Sequence, residues 1–549
     1  MKTDVLIVGA GPVGLSLALE LAHHGVRSVV VERRARGDVV TVRCNHISSR
    51  SMEFFRRHGL ADRVRQTGLP SDYPQDVSYR TATTGVELSR IRIAARGDRF
   101  SDRDTGVDAD WPTAEPPHRM NQIYLEPLMI DAALARPEIT LLFQHDMLDF
   151  VQDDSGVTAR IAAGTGADIT VESQFLVGCD GGASRVRKAI GGRLDGDAVI
   201  QRVQSTYLRA PGLIDAMQVP PCWCMFSLNP RRSGNIYSID GKELWLVHNY
   251  LRDSEPDFAS VDRDACIREI FGVGADFDYE ILNIEDWFGR RLVADKLRDG
   301  RVFIAGDAAH LWVPYAGYGM NAGIADAFNL GWILGAVIAG WGGERLLDAY
   351  VAERGPITEQ VSRFAMDHCM KMAAQRSAVP ANLEDPTPEG EAARARMGRE
   401  TYDLNVQQYC AAGLNYGYFY DKSPIIAADG AQPPGYTMAH YTPSTVPGCR
   451  VPHFFLDDGR SLYDAFGTGY ALLRLDPSVE VAGFVAAAAA IGMPLAVLDI
   501  APKGAVGALY AHPLVLVRPD QHVAWRGDAS DADAEGIIRH VAGYQNKII

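Results

Sequence analysis

The first 32 residues alternate between apolar runs and a glycine-rich turn. Val5–Val8 is a continuous apolar run of the kind that a parallel strand buried on both faces requires. Apolar residues then recur at helical spacing over residues 15–22, and Gly25 is typical of a helix C-cap. A second apolar run over residues 28–31 ends at Glu32. The pattern predicts a strand, a turn, a helix and a second parallel strand.

The later segments differ in their hydrophobic pattern. Residues 176–179 and 301–305 are short apolar runs that again predict strands buried on both faces. Residues 200–290 alternate apolar and polar positions and are rich in Tyr, Trp and Val, which predicts an antiparallel sheet. Residues 98–118 are rich in aspartate and proline, so we expect an exposed excursion there. Together these patterns indicate an α/β protein.

Composition narrows the class of protein. The chain has 549 residues, which is too long for one hydrophobic core, so two or three domains are expected. A net charge of -15 and scattered basic residues argue against a nucleic-acid partner. The eight cysteines include no C-x-x-C pair, and we interpret them as reduced thiols of a cytoplasmic protein. Cys222 and Cys224 lack the second ligand pair that a zinc site needs, so no metal site is predicted.

Two apolar stretches are long enough to be considered as membrane spans. Residues 324–343 contain Asp326 and Asn329, which would face lipid or a partner. Residues 481–498 carry no charge, but glycine and proline interrupt them in the middle. We therefore predict no membrane segment and no membrane partner.

The first motif with chemical meaning is Gly9-Ala10-Gly11-Pro12-Val13-Gly14. In such a turn Gly9 permits the tight bend, Gly11 lets the backbone approach a pyrophosphate, and Gly14 lets the helix pack close to the strand. The free N–H groups and the dipole of the helix N-terminus then favour phosphate. Glu32 ends the next strand, where an acid suits a ribose hydroxyl. The motif predicts a dinucleotide site without deciding between NAD and FAD.

Two further blocks make a family resemblance specific. Residues 179–187 include Asp180 and Gly181 after one predicted strand, and residues 306–321 include Asp307, Pro314 and a glycine-rich turn after another. The three blocks, in this order, resemble those of the class A flavoprotein monooxygenases, the group of para-hydroxybenzoate hydroxylase and phenol hydroxylase. The resemblance implies FAD as the cofactor and NADPH or NADH as a transient reductant.

The resemblance also assigns parts of FAD to residues. The first block would hold the ADP part, Asp307 the ribitol, and the turn up to Asn321 the flavin ring, while the middle block is associated with both FAD and nicotinamide. Arg33 and Arg43 are weaker candidates for phosphate contacts. The family has a glycine pair where this chain has Ala316-Gly317. The predicted cofactor residues are Gly9, Gly11, Pro12, Gly14, Glu32, Arg33, Arg43, Arg119, Gln122, Asp180, Gly181, Asp307, Pro314, Gly319, Met320 and Asn321.

The resemblance extends to the C-terminal part, which looks like the thioredoxin-like tail of the phenol hydroxylase subgroup. Without a C-x-x-C pair it cannot perform dithiol chemistry, so we expect a structural role or a homo-oligomer surface. The expected fold is a Rossmann-like FAD-binding domain with an antiparallel β-sheet substrate domain and this C-terminal domain. The predicted divisions are 1–185 (FAD-binding, with an excursion near 75–118), 186–285 (substrate sheet), 286–376 (FAD-binding), 377–436 (linker or helical segment) and 437–549 (thioredoxin-like).

The implied reaction is hydroxylation of a phenol-like or hydroxypyridine-like ring with O2 through a flavin hydroperoxide, which needs a dry pocket. A nearby group that takes or shares the phenol proton would help. Where phenol hydroxylase has an acid this chain has Asn45, which shifts attention to His46. Tyr237 and His248 lie on strands predicted to cover the ring. For each of these residues ordinary packing is the competing interpretation.

Three other functions are weighed against hydroxylation. A flavin-dependent halogenase would carry a G-W-x-W-x-I-P segment, which the sequence lacks. A flavin dehydrogenase would not transfer oxygen. A non-catalytic flavin-binding scaffold would not need motifs for every part of FAD. The small aromatic substrate itself stays open, because fold resemblance does not carry specificity.

Overall fold

The computed structural model describes residues 1–38, 42–313, 315–528 and 533–545. Its strands are, in chain order, β1 Val5–Val8, β2 Ser28–Glu32, β3 Val77–Arg80, β4 Glu87–Ile91, β5 Ile139–Phe143, β6 His145–Gln152, β7 Val157–Ala163, β8 Ile169–Ser173, β9 Phe175–Gly178, β10 Leu194–Arg209, β11 Cys224–Ser227, β12 Gly234–Ser238, β13 Leu244–Tyr250, β14 Glu280–Ile284, β15 Trp287–Ala294, β16 Arg298–Asp299, β17 Val302–Ile304, β18 His310–Trp312, β19 Tyr470–Arg474, β20 Leu495–Asp499, β21 Leu514–Val517 and β22 Val523–Gly527.

The α-helices frame these strands. They are α1 Pro12–His23, α2 Ser49–Arg57, α3 Ala61–Arg65, α4 Gln122–Leu134, α5 Arg185–Ala189, α6 Leu213–Ala216, α7 Arg263–Phe271, α8 Tyr318–Ile338, α9 Arg345–Ser377, α10 Pro388–Tyr409, α11 Ala412–Tyr416, α12 Ala482–Ala490, α13 Gly504–Gly507 and α14 Ala534–Val541. Short 3-10 helices occupy Gly306–Ala308, Tyr315–Gly317 and Leu462–Ala465.

A six-stranded sheet carries the predicted dinucleotide unit. Its order is β16-β17-β9-β1-β2-β5, and every pair is parallel except the edge pair β16-β17. The side chains of β1 and β2 are buried throughout, as their continuous apolar runs predict. Because β1 lies at the centre of the sheet, the turn that follows it opens at the carboxyl edge, where α/β proteins bind nucleotides.

A second, nine-stranded sheet has two different faces. Its main order is β18-β15-β10-β13-β12-β11-β3-β4, with β14 paired to β10. Met225, Ile236 and Val247 point to one face and pack against α7. Since side chains alternate along a strand, Tyr237 and His248 point to the other face. This sheet includes β3, β4, β15 and β18, so it extends beyond the residues 186–285 that were expected to form it. The predicted domain boundaries stay predictions.

The C-terminal sheet has the order β20-β19-β21-β22, with β19 and β20 parallel and the other pairs antiparallel. The connection from β19 to β20 contains α12, and α14 follows β22. This is the expected thioredoxin-like arrangement, so the predicted fold class is confirmed. A three-stranded sheet, β6-β7-β8, lies beside the first sheet.

Helix α8 explains the apolar stretch considered as a membrane span. Among the described residues it is the one helix long and apolar enough to cross a membrane, and 83% of the relevant window is buried inside the protein. Asp326 accepts hydrogen bonds from Arg354 and pairs with His310, so its charge is compensated within the protein core. The helix is a core helix of the FAD-binding domain.

The segment 98–118 is exposed over residues 100–107 except at Asp104, as expected, but Asp108 and residues 115–118 are buried. Asp108 is 1% exposed and accepts a 2.6 Å hydrogen bond from Nη2 of Arg99. Polar composition suggested solvent, but oppositely charged side chains within the segment compensate each other and allow it to be buried.

Buried neutral histidines predict a loss of stability in acid. Burial lowers the pKa of His118 to about 3 and that of His368 and His522 to about 4. Unfolding returns each to an ordinary pKa of about 6.5, so the unfolded chain binds more protons between these values. Each histidine is expected to remove about 1 kcal/mol of unfolding free energy per pH unit as pH falls from about 6 to 4.

The check is the midpoint of urea unfolding at pH 7 and at pH 5. His368→Gln, which keeps a polar partner for Asn405, should lessen the difference between the two midpoints. Equal midpoints for the wild-type protein at both pH values would contradict this account.

Candidate active site

The turn after β1 has the shape that a bound pyrophosphate requires. Gly9 has φ +107°, and a Cβ there would lie 2.4 Å from the carbonyl oxygen of Cys179. A Cβ at Gly14 would lie 2.0 Å from the oxygen of Gly9, so α1 can approach β1 only with glycine there. Gly11 has no heavy atom within 4 Å of its Cβ position, which leaves its backbone accessible. Pro12 then begins α1, where its missing N–H costs no hydrogen bond.

Glu32 lies beside this turn and is ionised. It accepts hydrogen bonds from the backbone N–H of Ala10 at 2.8 Å and from Nε of Arg34 at 3.0 Å. Burial by itself raises the pKa of this carboxyl, but these hydrogen bonds outweigh it and lower the pKa below its usual value. Arg33, predicted as a phosphate contact, is exposed, and its neighbour Arg34 carries the ion pair instead.

Asp307 lies in the short 3-10 helix after β17 and is exposed to solvent. Its side chain keeps solvent-accessible surface, yet the surrounding protein desolvates it enough to raise its pKa, against the lowering effect of His310 and Arg43. Among the described residues none donates a hydrogen bond to it. A carboxylate in such a place can accept hydrogen bonds from sugar hydroxyls, which fits the ribitol chain of FAD.

Asn321 joins two loops by its side chain. Oδ1 accepts from the N–H of Ser48 at 2.8 Å and from Oγ of Ser51 at 2.7 Å, while Nδ2 donates to the carbonyls of His46 and Gly317. This amide therefore fixes the start of α2 against the turn before α8. The predicted contact of Asn321 with flavin could come only from its backbone N–H in the first helical turn.

The structure describes all but one of the other predicted cofactor residues near the start of α8. Gly317 has φ +59°, and a Cβ there would lie 2.8 Å from the Cβ of His46. Gly319 and Met320 are half-buried in the first turn of α8, where backbone N–H groups lack helical partners. Pro314 lies outside the described residues.

Three predicted cofactor side chains have protein partners. Arg43 forms an ion pair with Glu285 on the loop before β15. Gln122 donates to Glu126 at 2.6 Å, within α4. Asp180 accepts from Oγ of Ser184 at 2.5 Å and from two backbone N–H groups at the start of α5. Gly181 has φ +77°, which suits the turn between β9 and α5. Their contacts with a cofactor stay predictions.

Asn45 and His46 precede α2 and are both buried. Oδ1 of Asn45 accepts from Nδ2 of Asn121 at 2.5 Å, which ties it to the start of α4. His46 has an Nδ1 without a hydrogen-bond partner among the described residues. Burial, together with the positive charge of Arg119, lowers its pKa well below the usual value, so the ring is neutral.

Arg119 lies deeper than its predicted cofactor role suggests. Its side chain is fully buried, and Nη2 donates to the carbonyl of Tyr409 at 3.2 Å and lies 3.6 Å from a carboxylate oxygen of Asp108. The guanidinium carbon lies 5.4 Å from the centre of the Trp223 ring. Nε and Nη1 have no partner among the described residues. These two nitrogens can therefore donate hydrogen bonds to a ligand beside the Trp223 ring.

A line of rings crosses the face of the nine-stranded sheet opposite α7. We call it the aromatic row: Tyr409, Trp223, Tyr237, His248 and Trp287. Consecutive ring centroids are separated by 6.0, 5.5, 5.8 and 5.8 Å. Burial raises the pKa of Tyr237 well above its usual value and lowers that of His248 to about 4. Both side chains nevertheless keep some accessible surface, as expected of a cavity wall.

Sequence reasoning missed part of this wall. Tyr409 lies at the end of α10, in the segment predicted only as a linker or helical segment. Thr387 accepts from the N–H of Gly390, and Pro388 follows it, which is a helix-start signature that the sequence offered. Trp223 lies between Cys222 and Cys224, directly before β11. Its ring contacts could not be predicted from strand periodicity.

Comparison with known families now decides the class of protein. A family model described as "FAD binding domain" matches residues 2–365, and one described as "Aromatic-ring hydroxylase, C-terminal" matches residues 444–544. The chain belongs to the FAD-dependent aromatic-ring hydroxylases. The suspected family and the thioredoxin-like C-terminal part of its phenol hydroxylase subgroup are thereby confirmed.

Relatives of this aromatic-ring hydroxylase are similar over nearly its whole length. The FAD-dependent monooxygenase apdD of Emericella nidulans is 30% identical, with 99% of this chain and 90% of the relative covered. Phenol 2-monooxygenase of a Pseudomonas species is 30% identical, with 97% and 91% covered. Among solved structures, the rebeccamycin biosynthetic enzyme RebC with reduced flavin has a TM-score of 0.89 at 33% identity, with 99% of each chain covered.

These comparisons agree with the geometry of the hydroxylase. The turn after β1, Glu32 and Asp307 fit the pyrophosphate, a ribose and the ribitol of FAD. FAD is the cofactor, and NAD(P)H is the reductant typical of this family. The chain is an enzyme, an FAD-dependent aromatic monooxygenase, so the interpretation as a non-catalytic scaffold is set aside.

Proposed function

We propose that this enzyme hydroxylates the phenolic ring of a flat, fused-ring aromatic compound, with NAD(P)H and O2 as co-substrates. The aromatic row is the observation that carries the proposal, because its half-buried rings, Tyr237, His248 and Trp287, follow each other at 5.8 Å and together span more than one phenol ring can cover. A relative of known structure, aklavinone-11 hydroxylase in complex with FAD and aklavinone, supports a large substrate, with a TM-score of 0.81 at 28% identity.

The buried histidines suit hydrogen bonding better than proton removal. Bound FAD supplies the reducing equivalents and the activated oxygen, and the protein has to orient the phenol. A phenol with an ordinary pKa of about 10 would lose its proton to His248, whose pKa is about 4, only at a cost of about 8 kcal/mol. A neutral histidine, either His46 or His248, can therefore accept the single hydrogen bond that the substrate hydroxyl donates, and Tyr237, protonated at neutral pH, can donate one to the hydroxyl oxygen.

Arg119 is the group that makes the phenol more acidic in this proposal. Its guanidinium is permanently charged, fully buried and left with two unpartnered nitrogens. A positive charge in a dry site stabilises a phenolate far more than it would in water. Asn45, tied to Asn121, orients the loop and does not act on the proton.

The binding of NAD(P)H and the cellular location are also part of the proposal. Among the described residues no second glycine-turn unit is built for a dinucleotide, so NAD(P)H binds transiently on the FAD-binding domain, with Arg33 and Arg43 as phosphate contacts. We keep a cytoplasmic location as part of the proposal, which the free thiol state of all eight cysteines supports.

The proposal predicts a substrate preference that can be measured. Fused-ring phenols should raise the rate of NADPH oxidation at least about tenfold over the rate without substrate, because only they fill the aromatic row. Mass spectrometry of the product should show the gain of one oxygen atom. Oxygen that is released when catalase is added measures the NADPH oxidation that produces hydrogen peroxide instead of hydroxylated product.

Single-ring phenols of the same acidity are the matched control. Stimulation by single-ring phenols alone would contradict the proposed substrate size. Oxidation of every phenol with peroxide as the only product would contradict hydroxylation itself.

A further inference from the structure

Arg376, near the end of α9, is a positive charge without a matching negative one. The guanidinium carbon lies 4.2 Å from the centre of the Tyr250 ring, and Nη1 lies 3.5 Å from the hydroxyl of Tyr315. No carboxylate of the described residues forms an ion pair with it. Of its five N–H donors, that one long contact is the only hydrogen bond to the described residues.

Several buried arginines of this protein are paired with a carboxylate, whereas Arg50 and Arg187 donate only to backbone carbonyls among the described residues. Arg354 bonds to Asp326 at 2.7 Å, and Arg450 bonds to Glu53. A buried charge is costly unless a counter-charge compensates it. Arg376 is half-buried and, unlike Arg50 and Arg187, has neither a carboxylate nor a backbone carbonyl among the described residues to receive its N–H groups, so most of its donors are left for another partner.

The position of Arg376 connects it with the aromatic row. Tyr250 lies two residues after His248 on β13, so both side chains point to the same face of the sheet. The hydroxyl of Tyr250 donates to Oδ1 of Asn235 at 2.5 Å, and Nδ2 of Asn235, fully buried, has no partner among the described residues. Tyr315 directly precedes the turn before α8. Arg376 thus lies at the end of the substrate wall that is formed by β13.

From this geometry we infer that Arg376 binds a carboxylate on the substrate, so that the substrate is a fused-ring phenol that also carries an acid group. The inference rests on the proposed function. A guanidinium forms two parallel hydrogen bonds with a carboxylate, a geometry that suits no other common substituent of an aromatic ring as well. Arg119, which lies beside Trp223, then receives the phenol oxygen. Two separated cations would fix which ring of the substrate faces the flavin.

The test compares one pair of compounds, naphthol and hydroxynaphthoate, which differ by a carboxylate. Binding to the FAD-loaded enzyme is followed by the change in flavin absorbance, without NADPH, so that no turnover is needed. Hydroxynaphthoate should bind about 10- to 100-fold more tightly than naphthol, as expected for a charge-assisted pair. Arg376→Met should abolish this ratio by weakening hydroxynaphthoate binding alone, and Arg376→Lys should keep part of it.

Lys371→Met is the matched control, because Lys371 is an exposed cation on the same helix that pairs with Asp367. It should keep the full ratio. Arg376→Gln serves as a second variant if the methionine variant does not fold. A wild-type ratio near one, binding of neither compound, or an unchanged ratio in the Arg376 variants would overturn the inference.

The two proposals fail differently. If hydroxynaphthoate binds through Arg376 but neither compound ever gains oxygen, the carboxylate site stands and the proposed hydroxylation does not. If naphthol is hydroxylated with no preference for its carboxylated form, hydroxylation stands and the carboxylate site does not.

Discussion

Gly11→Val should give a folded protein that has lost most of its FAD. Valine at this position meets no protein atom, since nothing lies within 4 Å of the Cβ position, and the backbone there is extended with φ -73° and ψ 179°. The added side chain instead occupies the space where the pyrophosphate meets the turn. A steric penalty of 1–3 kcal/mol, typical of overpacking, lowers FAD affinity by roughly 5- to 150-fold.

Flavin content after purification and titration of the apoprotein with FAD measure this effect. Gly467→Val is the control, because that glycine also has open space around its Cβ position and lies in the C-terminal domain. Gly14→Ala should behave differently and impair folding, since its Cβ would lie 2.0 Å from a backbone oxygen. Full flavin content in Gly11→Val would show that the pyrophosphate does not approach this turn.

Arg518→Met should be strongly destabilising, because it leaves buried negative charges without a counter-charge. Arg518 bonds to Glu353 of α9 at 2.5 and 2.8 Å and to Asp520 at 2.6 Å, with all three side chains at most 2% exposed. Removing one partner of a buried ion pair costs about 3–5 kcal/mol. The loss should appear as a lower midpoint of thermal and urea unfolding.

Arg474→Ala provides the comparison, because its pair with Asp499 lies at the surface and should contribute at most about 1 kcal/mol. Burial alone would raise the pKa of Asp520. The charge of Arg518 and the contact between Asp520 and His522 instead hold this pKa well below its usual value. This contribution to stability is present above pH 4 and is lost as pH falls through the folded-state pKa. Similar unfolding midpoints for the two arginine variants would contradict a structural role of the buried pair.

The backbone part of the site was predictable, and the side-chain part was not. Gly9 and Gly14 follow from the strand–turn–helix pattern, since backbone geometry forces glycine at both places, and the place of Glu32 follows from the end of the second strand. Asp180 and Arg43 have the predicted residue types at the predicted places, yet their side chains contact Ser184 and Glu285. A motif specifies where a side chain starts, whereas its partner depends on segments that are distant in sequence.

The wall of the site shows the same limit more clearly. Tyr237 and His248 were predicted from alternation along strands, but Tyr409 and Arg376 come from helices after residue 345. Nothing in the local pattern of α9 or α10 tells which of their residues meets the sheet. Only the packing of α9 against β15 and β18, and of α10 against β4, brings them to the site.

Two ion pairs join helix α2 to the C-terminal domain, and they indicate a role for a domain that has no C-x-x-C pair. Arg450 pairs with Glu53, and Asp464 accepts from Arg56 at 2.8 Å, so two side chains of α2 are gripped by the last hundred residues. The same helix begins at the loop that carries His46. We infer that the C-terminal domain holds α2, and with it the loop that carries His46, in place. Variants that break these two contacts should oxidise more NADPH without forming product and release more peroxide, while they keep their FAD.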